Sequence, residues 1–335
     1  MTTLRSDTIS GHNDDGPVLD GVLKYTSENY MTLPKGTTTQ SNRGRGLIGG
    51  GTTPNTDDIV YVNIQTEGNS ISFGNLTSSR FGLAAFGSST RGIFVGGATP
   101  TRLNNMEYVE FATQSNALDF GDLAQSVRDT SAGGNNLYGF RGGGVISPSA
   151  AKTNMIDKTT IASTGNATDI GDLESAKHVL AACASPTRCV WGGGFWPANT
   201  NVIQFLTIAS AGNTTNFGDL TNARQGLGSA SSNTRGLWGG GSGPTNIIDY
   251  VELATTGDAI DFGDLKLGRV QFSATSNSVR AIFCGGYWSS SDRNIIDYVN
   301  ISTTGNAKDF GDISRADNDS NRELGACSDS HGGIS

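Results

Sequence analysis

Short apolar runs alternate along most of this chain with clusters of Gly, Asn, Ser and Thr, and the runs recur in a fixed order. The first type is rich in Ala, Leu and Ser, as at Leu180-Ala-Ala-Cys-Ala-Ser185. The second follows an Arg-Gly step and ends in glycines, as at Arg45-Gly-Leu-Ile-Gly-Gly-Gly51. The third carries an Ile-Asp-Tyr-Val pattern, as at Ile296-Asp-Tyr-Val-Asn-Ile301. The fourth surrounds Asp-Phe-Gly-Asp-Leu and is centred on Phe73, Phe120, Ile170, Phe217, Phe262 and Phe310. Short runs with β-branched and aromatic residues, bounded by turn formers, predict antiparallel strands. The third run is apolar on both faces, as in a sheet sandwiched between two neighbours.

The second run opens at Arg45, Arg91, Leu137 (a degenerate copy), Arg188, Arg235 and Arg280, 45 to 51 residues apart. A period of that size marks an array of supersecondary units. A ring of four-stranded sheets packed face to face buries both sides of each sheet and leaves only short edges. The expectation is an all-β fold: a six-bladed β-propeller of four-stranded antiparallel blades over residues 41–335. The array begins with a second strand at Arg45 and ends with a first strand, Glu323-Leu-Gly-Ala-Cys-Ser-Asp-Ser330. The C-terminal strand is therefore expected to close the ring by joining the N-terminal three, removing two free edges. The repeated double glycine provides a turn and room for close approach by the next blade.

Residues 1–40 lack the repeat. Asn13-Asp-Asp-Gly-Pro17 is a turn signal, Gly36 to Asn42 is a polar linker, and only short apolar pieces lie between. Such an arm orders on its own domain or on a partner, and a partner is the expectation: a second copy of the chain or another component of an assembly.

Composition narrows the function. Net charge is -8, which argues against nucleic-acid binding, and no apolar run is long enough to span a membrane. The four cysteines, Cys183, Cys189, Cys284 and Cys327, match no zinc spacing and are expected to be free buried thiols of a chain that folds in a reducing cytosol. No metal or cofactor is expected. His12, His178 and His331 accompany no nucleophile motif, and the Gly-x-Ser-x-Gly pattern is missing. Repeated carboxylates (Asp122, Asp172, Asp219, Asp264, Asp312 and Asp119, Asp169, Asp261, Asp309) recur symmetrically, which suits blade maintenance rather than catalysis.

Two sets of residues stand out as candidate binding groups. Arg80, Arg128, Lys177, Arg224, Arg269 and Arg322 each lie just before a first strand. With that strand innermost, they would circle one mouth of the central channel. Unneutralised like charges are costly, so fourth-strand Asp partners or an anionic ligand are expected there. The loops after the double glycines vary most, and Phe195, Trp196, Tyr287 and Trp288 lie on two of them, suited to contact with sugars or proteins.

The apolar strand ending in double glycine, the Tyr-bearing strand and the aromatic fourth strand resemble the kelch-type propeller repeat, although Phe or Ile stands where kelch repeats have Trp. The kelch comparison implies that the first strand is innermost. The Arg-Gly-x-x-x-Gly-Gly, Ile-Asp-Tyr-Val, Gly-Asn-x-x-Asp-Phe-Gly-Asp-Leu cassette is more similar to repeats in structural proteins of tailed phages from aquatic bacteria. The opening Thr3-Leu-Arg-Ser-Asp-Thr-Ile9 is similar to the start of fibre and other virion proteins of such bacteriophages. The resemblance implies a non-enzymatic virion protein, made in the host cytoplasm. It would be attached by its arm to other virion proteins, homo-oligomeric on the particle, and would present its propeller for host attachment, receptor binding or protein recognition as part of a tail fibre or similar appendage. The alternatives are capsid decoration and a carbohydrate-active propeller enzyme.

Overall fold

The computed structural model describes residues 44–315 and 321–334, together with three short strands, Val18–Leu19, Leu23–Tyr25 and Met31–Thr32. Two compact units result, 1–43 and 44–335. In the first, the three strands pair antiparallel in chain order, Val18 opposite Lys24 and Lys24 opposite Thr32. Attachment through residues 1–40 and His12 lie outside the described residues.

The second unit is a six-bladed propeller. Blade 1 joins Gly325–Ser328 to Arg45–Gly49, Asp58–Asn63 and Ile71–Asn75. Blade 2 is Ala84–Gly87, Arg91–Val95, Asn105–Glu110 and Leu118–Asp122. Blade 3 is Ser131–Gly134, Tyr138–Gly142, Met155–Thr160 and Thr168–Asp172. Blade 4 is Ala181–Ala184, Arg188–Gly192, Val202–Thr207 and Thr215–Asp219. Blade 5 is Gly228–Ser231, Arg235–Gly239, Ile247–Glu252 and Ile260–Asp264. Blade 6 is Ser273–Ser276, Arg280–Cys284, Ile295–Asn300 and Lys308–Asp312. Every pairing is antiparallel, and no helix occurs among the described residues. The predicted closure is present: Gly325 pairs with Gly49 and Ser328 with Gly46.

The apolar interior is divided among the blade interfaces. Leu47, Ile59 and Phe73 of blade 1 pack on Leu83, Phe94 and Phe111 of blade 2. Trp238 of blade 5 packs on Ala181 and Val190 of blade 4, donating its indole N–H to the Ala181 carbonyl at 3.1 Å. The double glycines do what their sequence suggests. Gly50 has φ +66°, and a side chain there would sit 2.7 Å from the carbonyl of Arg80 in the next blade.

The cassette Gly-Asn explains itself at the outer edge. The side chains of Asn69, Asn116, Asn166, Asn213, Asp258 and Asn306 each accept the backbone N–H of a fourth-strand residue in the preceding blade: Asp312, Asn75, Asp122, Asp172, Asp219 and Asp264, at 2.9–3.1 Å. Backbone bonds such as Ala259 to Asp219 flank each latch. The outermost strands are thereby covered by their neighbours, which manages edges that would otherwise be free to pair.

A second repeated contact lies between the strands. Arg45, Arg91, Arg188, Arg235 and Arg280 stack over Tyr61, Tyr108, Phe205, Tyr250 and Tyr298, 4.6–4.8 Å from the ring centres. Each also donates to a carbonyl of the following blade, Arg235 to Ile301 and Ser302 for example. The degenerate copy keeps the contact in reverse. Tyr138 replaces the arginine, Lys158 replaces the tyrosine, and the ammonium lies 3.8 Å from the ring centre.

Candidate functional site

The first strands line the central channel, and each is entered through one residue in the left-handed region: Gly82, Asp129, Val179, Gly226, Gln271 and Glu323, with φ between +53° and +68°. Their main chains form a closed circle. Gly82 N–H donates to Glu323, Asp129 to Gly82, Val179 to Asp129, Gly226 to Val179, Gln271 to Gly226 and Glu323 to Gln271, all at 2.7–2.9 Å. Left-handed backbone costs about 1–3 kcal/mol at a non-glycine residue, most clearly at a β-branched one, and persists only where surroundings over-determine it. The circle supplies that determination, even for Val179.

Inside the circle opens a funnel lined by Ala, Ser, Thr and Gly of the inner strands. Two carboxyl groups stand at its mouth on either side of Gly82. The Asp129 carboxylate lies where a side chain at Gly82 would meet it, at 2.7 Å, and 3.5 Å from Arg128 Nε. Glu323 accepts the Gln271 amide N–H at 2.8 Å. Burial, reinforced by the charge of Asp129, pushes the Glu323 carboxyl up to about 7, and burial raises Asp129 as well. This mouth therefore holds a proton near neutrality. Such a pair can both donate and accept hydrogen bonds.

The six predicted cations do not form a ring. The left-handed residue sets the register, and Arg80, Lys177, Arg224 and Arg269 lie two residues before it, whereas Arg128 and Arg322 lie one residue before. The first four are buried inside the blades. Arg80 pairs with Glu107; Arg224 meets Asp249 at 3.0 Å and Arg269 meets Asp297 at 2.7 Å. The acids come from the third strand, not from the fourth-strand positions expected, because a third-strand side chain facing the second-strand aromatic reaches the blade interior. Removal from water lowers the Arg80 and Arg224 pKa values while their carboxylates oppose the shift. In blade 4 the partner position holds Gln204, which instead accepts from Glu174 N–H at 2.8 Å and Thr214 Oγ1 at 2.7 Å. Burial there lowers the Lys177 pKa. In blade 3, Val127 takes the cation's place, and Arg141 of the second strand pairs with buried Asp157. Sequence reasoning missed Arg141 and the buried acids within a strand read as apolar.

Arg128 and Arg322 do reach the mouth side. Arg128 lies over Phe81, 5.3 Å from its centre. Arg322 lies over Tyr287 at 4.9 Å, 3.5 Å from Asp292, and donates to Thr53 Oγ1 at 2.7 Å. The aromatic loops flank the same end. Phe195 packs edge-on against His178, whose pKa burial, Lys152 and Arg128 push down to about 4. Trp196 is 52% exposed beneath the Lys152 ammonium, 4.3 Å from the ring centre. Trp288 and Tyr287 are half-buried. The fourth-strand carboxylates are exposed or half-buried; Asp309 meets Lys266 at 3.2 Å. Among the described residues, no group of three or more His, Cys, Asp or Glu side chains could hold a metal ion. The four cysteines are free and buried. The chain matches no protein-family model and no curated protein sequence.

Proposed function

We propose that this chain is a non-enzymatic recognition protein of a phage virion, a kelch-like propeller carried by an appendage such as a tail fibre and turned so that the funnel mouth meets the host surface. The observation that carries the reading is where symmetry fails. Latches, stacked cations and double glycines repeat from blade to blade, whereas the mouth mixes Asp129, Glu323, Gln271 and Arg322 with aromatic loops at Trp196 and Trp288. A surface that departs from its own repeat is free to serve a ligand. Carboxyl and amide groups on the same end as the exposed Trp196 ring and the half-buried Trp288 suit a host glycan. The phage assignment rests on the similarity of the repeat cassette and of Thr3–Ile9.

The purified protein is expected to block adsorption of phage particles carrying it, and Trp196→Ala to weaken the block about tenfold. A variant that blocks as well as the parent removes the aromatic loop from the reading, and failure of the parent to block turns the choice to capsid decoration. A second reading, a carbohydrate-active enzyme, draws on the Asp129 and Glu323 carboxyl pair. Release of fragments from host glycans, lost in Glu323→Gln, is its test.

A further inference from the structure

The channel's other end is closed by the chain itself. Beyond Ser328 the segment Asp329–Ile334 leaves blade 1 and crosses the opening. Asp329 Oδ1 anchors it by accepting Gly44 N–H at 2.7 Å and Arg45 N–H at 3.1 Å. Gly332 N–H donates to Ser231 of blade 5 at 3.0 Å, Gly333 is pressed against the Gly134 carbonyl of blade 3, and Gly332, Gly333 and Ile334 are buried. Above them lies an inner cavity with His331 in its wall.

His331 holds this segment through both ring nitrogens. Nε2 lies 2.8 Å from the Gly87 carbonyl of blade 2, and Nδ1 accepts Gly333 N–H at 3.1 Å. A carbonyl can only accept and an amide N–H can only donate. The geometry is satisfied by one species, the neutral ring with its proton on Nε2. A second proton, on Nδ1, would face the Gly333 N–H with no acceptor.

Among the described residues lining the cavity with the ring, none is a carboxylate that would compensate that charge. The blades lining the cavity with it contribute Phe86 and Gly87 from blade 2, Gly134 from blade 3, Cys183 from blade 4, Ser231 from blade 5, Thr275 and Ser276 from blade 6, and Cys327 from blade 1. Both thiols are pushed up by burial and stay neutral. Asp329 is the carboxylate of the segment itself, and it is committed to the Gly44 and Arg45 amides.

We propose that Asp329–Ile334 is a proton-released plug of the central channel, seated while His331 is neutral and freed when the ring takes a second proton. Freeing it opens the channel at this end. Burial lowers the His331 pKa below its ordinary 6.5. The released segment therefore binds the proton first. Docking is fully favoured above about pH 6.5, and its equilibrium constant falls about tenfold for each pH unit below, until the docked ring also titrates.

Hydrogen exchange of the full chain, corrected for intrinsic rates at about pH 7.5 and about pH 5, tests this. Residues 329–334 are expected to lose protection about tenfold or more in acid while the inner strands keep theirs. In His331→Gln, whose amide can donate to Gly87 and accept from Gly333 without titrating, protection is expected to be the same at both pH values. Unchanged protection in the parent, or an equal loss in the variant, overturns the proposal. Ring nitrogen NMR of the parent gives a second measure: the Nε2–H form at neutral pH supports the plug, and a ring titrating at an ordinary pKa with the segment still protected refutes it.

Discussion

In blade 5 the buried guanidinium is supplied by Arg224, ahead of the inner strand, and meets Asp249; in blade 3 Val127 holds that position and Arg141, one strand further out, meets Asp157. Blade 5 stacks Arg235 on Tyr250, and blade 3 stacks Lys158 on Tyr138 with the two strands exchanged. Blade 5 enters its inner strand through Gly226 and blade 3 through Asp129. Two of these three differences leave the contact intact while changing which strand delivers it. The third changes the chemistry of the mouth. A blade interior thus constrains a pairing in space more tightly than a residue at a position, and departures that restore no pairing are where function is to be sought.

The largest expected effect tests whether the relocated pair does the same work. Asp249→Ala and Asp157→Ala each strand a buried guanidinium and should cost about 3–5 kcal/mol, read as a fall in the urea midpoint. Similar losses mean that the two geometries are equivalent; a much smaller loss for Asp157 means that Arg141 finds water that Arg224 does not.

An intermediate effect isolates the mouth. An acid whose folded pKa lies above its unfolded one contributes stability that is complete below the unfolded value and is lost as pH rises through the folded value. With Glu323 moved from 4.5 to about 7, that window runs from 4.5 to 7. Glu323→Gln should therefore match the parent near pH 4 and exceed it by roughly 1 kcal/mol near pH 8, a figure reduced for the partial exposure of the group. Equal stability at both ends would show that the carboxyl is not held away from water.

The smallest effect comes from undoing the exchange. Tyr138→Arg alone sets two cations together and should lower stability by about 0.5–1 kcal/mol, whereas Tyr138→Arg with Lys158→Tyr should return to within about 0.5 kcal/mol of the parent. Thermal midpoints of the four proteins complete the cycle, and a double variant as weak as the single one would deny the equivalence of the strands.

The blade count, the strand order and the closure were legible because apolar period and turn residues record them directly. The mouth was not. Gly82, Asp129, Val179, Gly226, Gln271 and Glu323 share no side-chain property, since what unites them is a main-chain conformation and a circle of main-chain bonds. Arg128 and Arg322 were aligned with the wrong neighbours for the same reason: without the left-handed residue as a marker, a cation one place along looks equivalent. The buried acids were hidden by company. Asp249 and Asp297 sit in strands so apolar that their charge reads as an exposed face, until a guanidinium from another segment is found opposite.

Blade 1 is built from both sides of the chain, with Gly325–Ser328 seated beside Arg45–Gly49. During synthesis five blades can assemble in order while this one waits, its edge at Arg45–Gly49 open, until residue 328 has left the ribosome. Completing the ring then requires the capture of a short strand, Gly325 pairing with Gly49 and Ser328 with Gly46, a loop closure whose entropy grows only with the logarithm of the chain length between them.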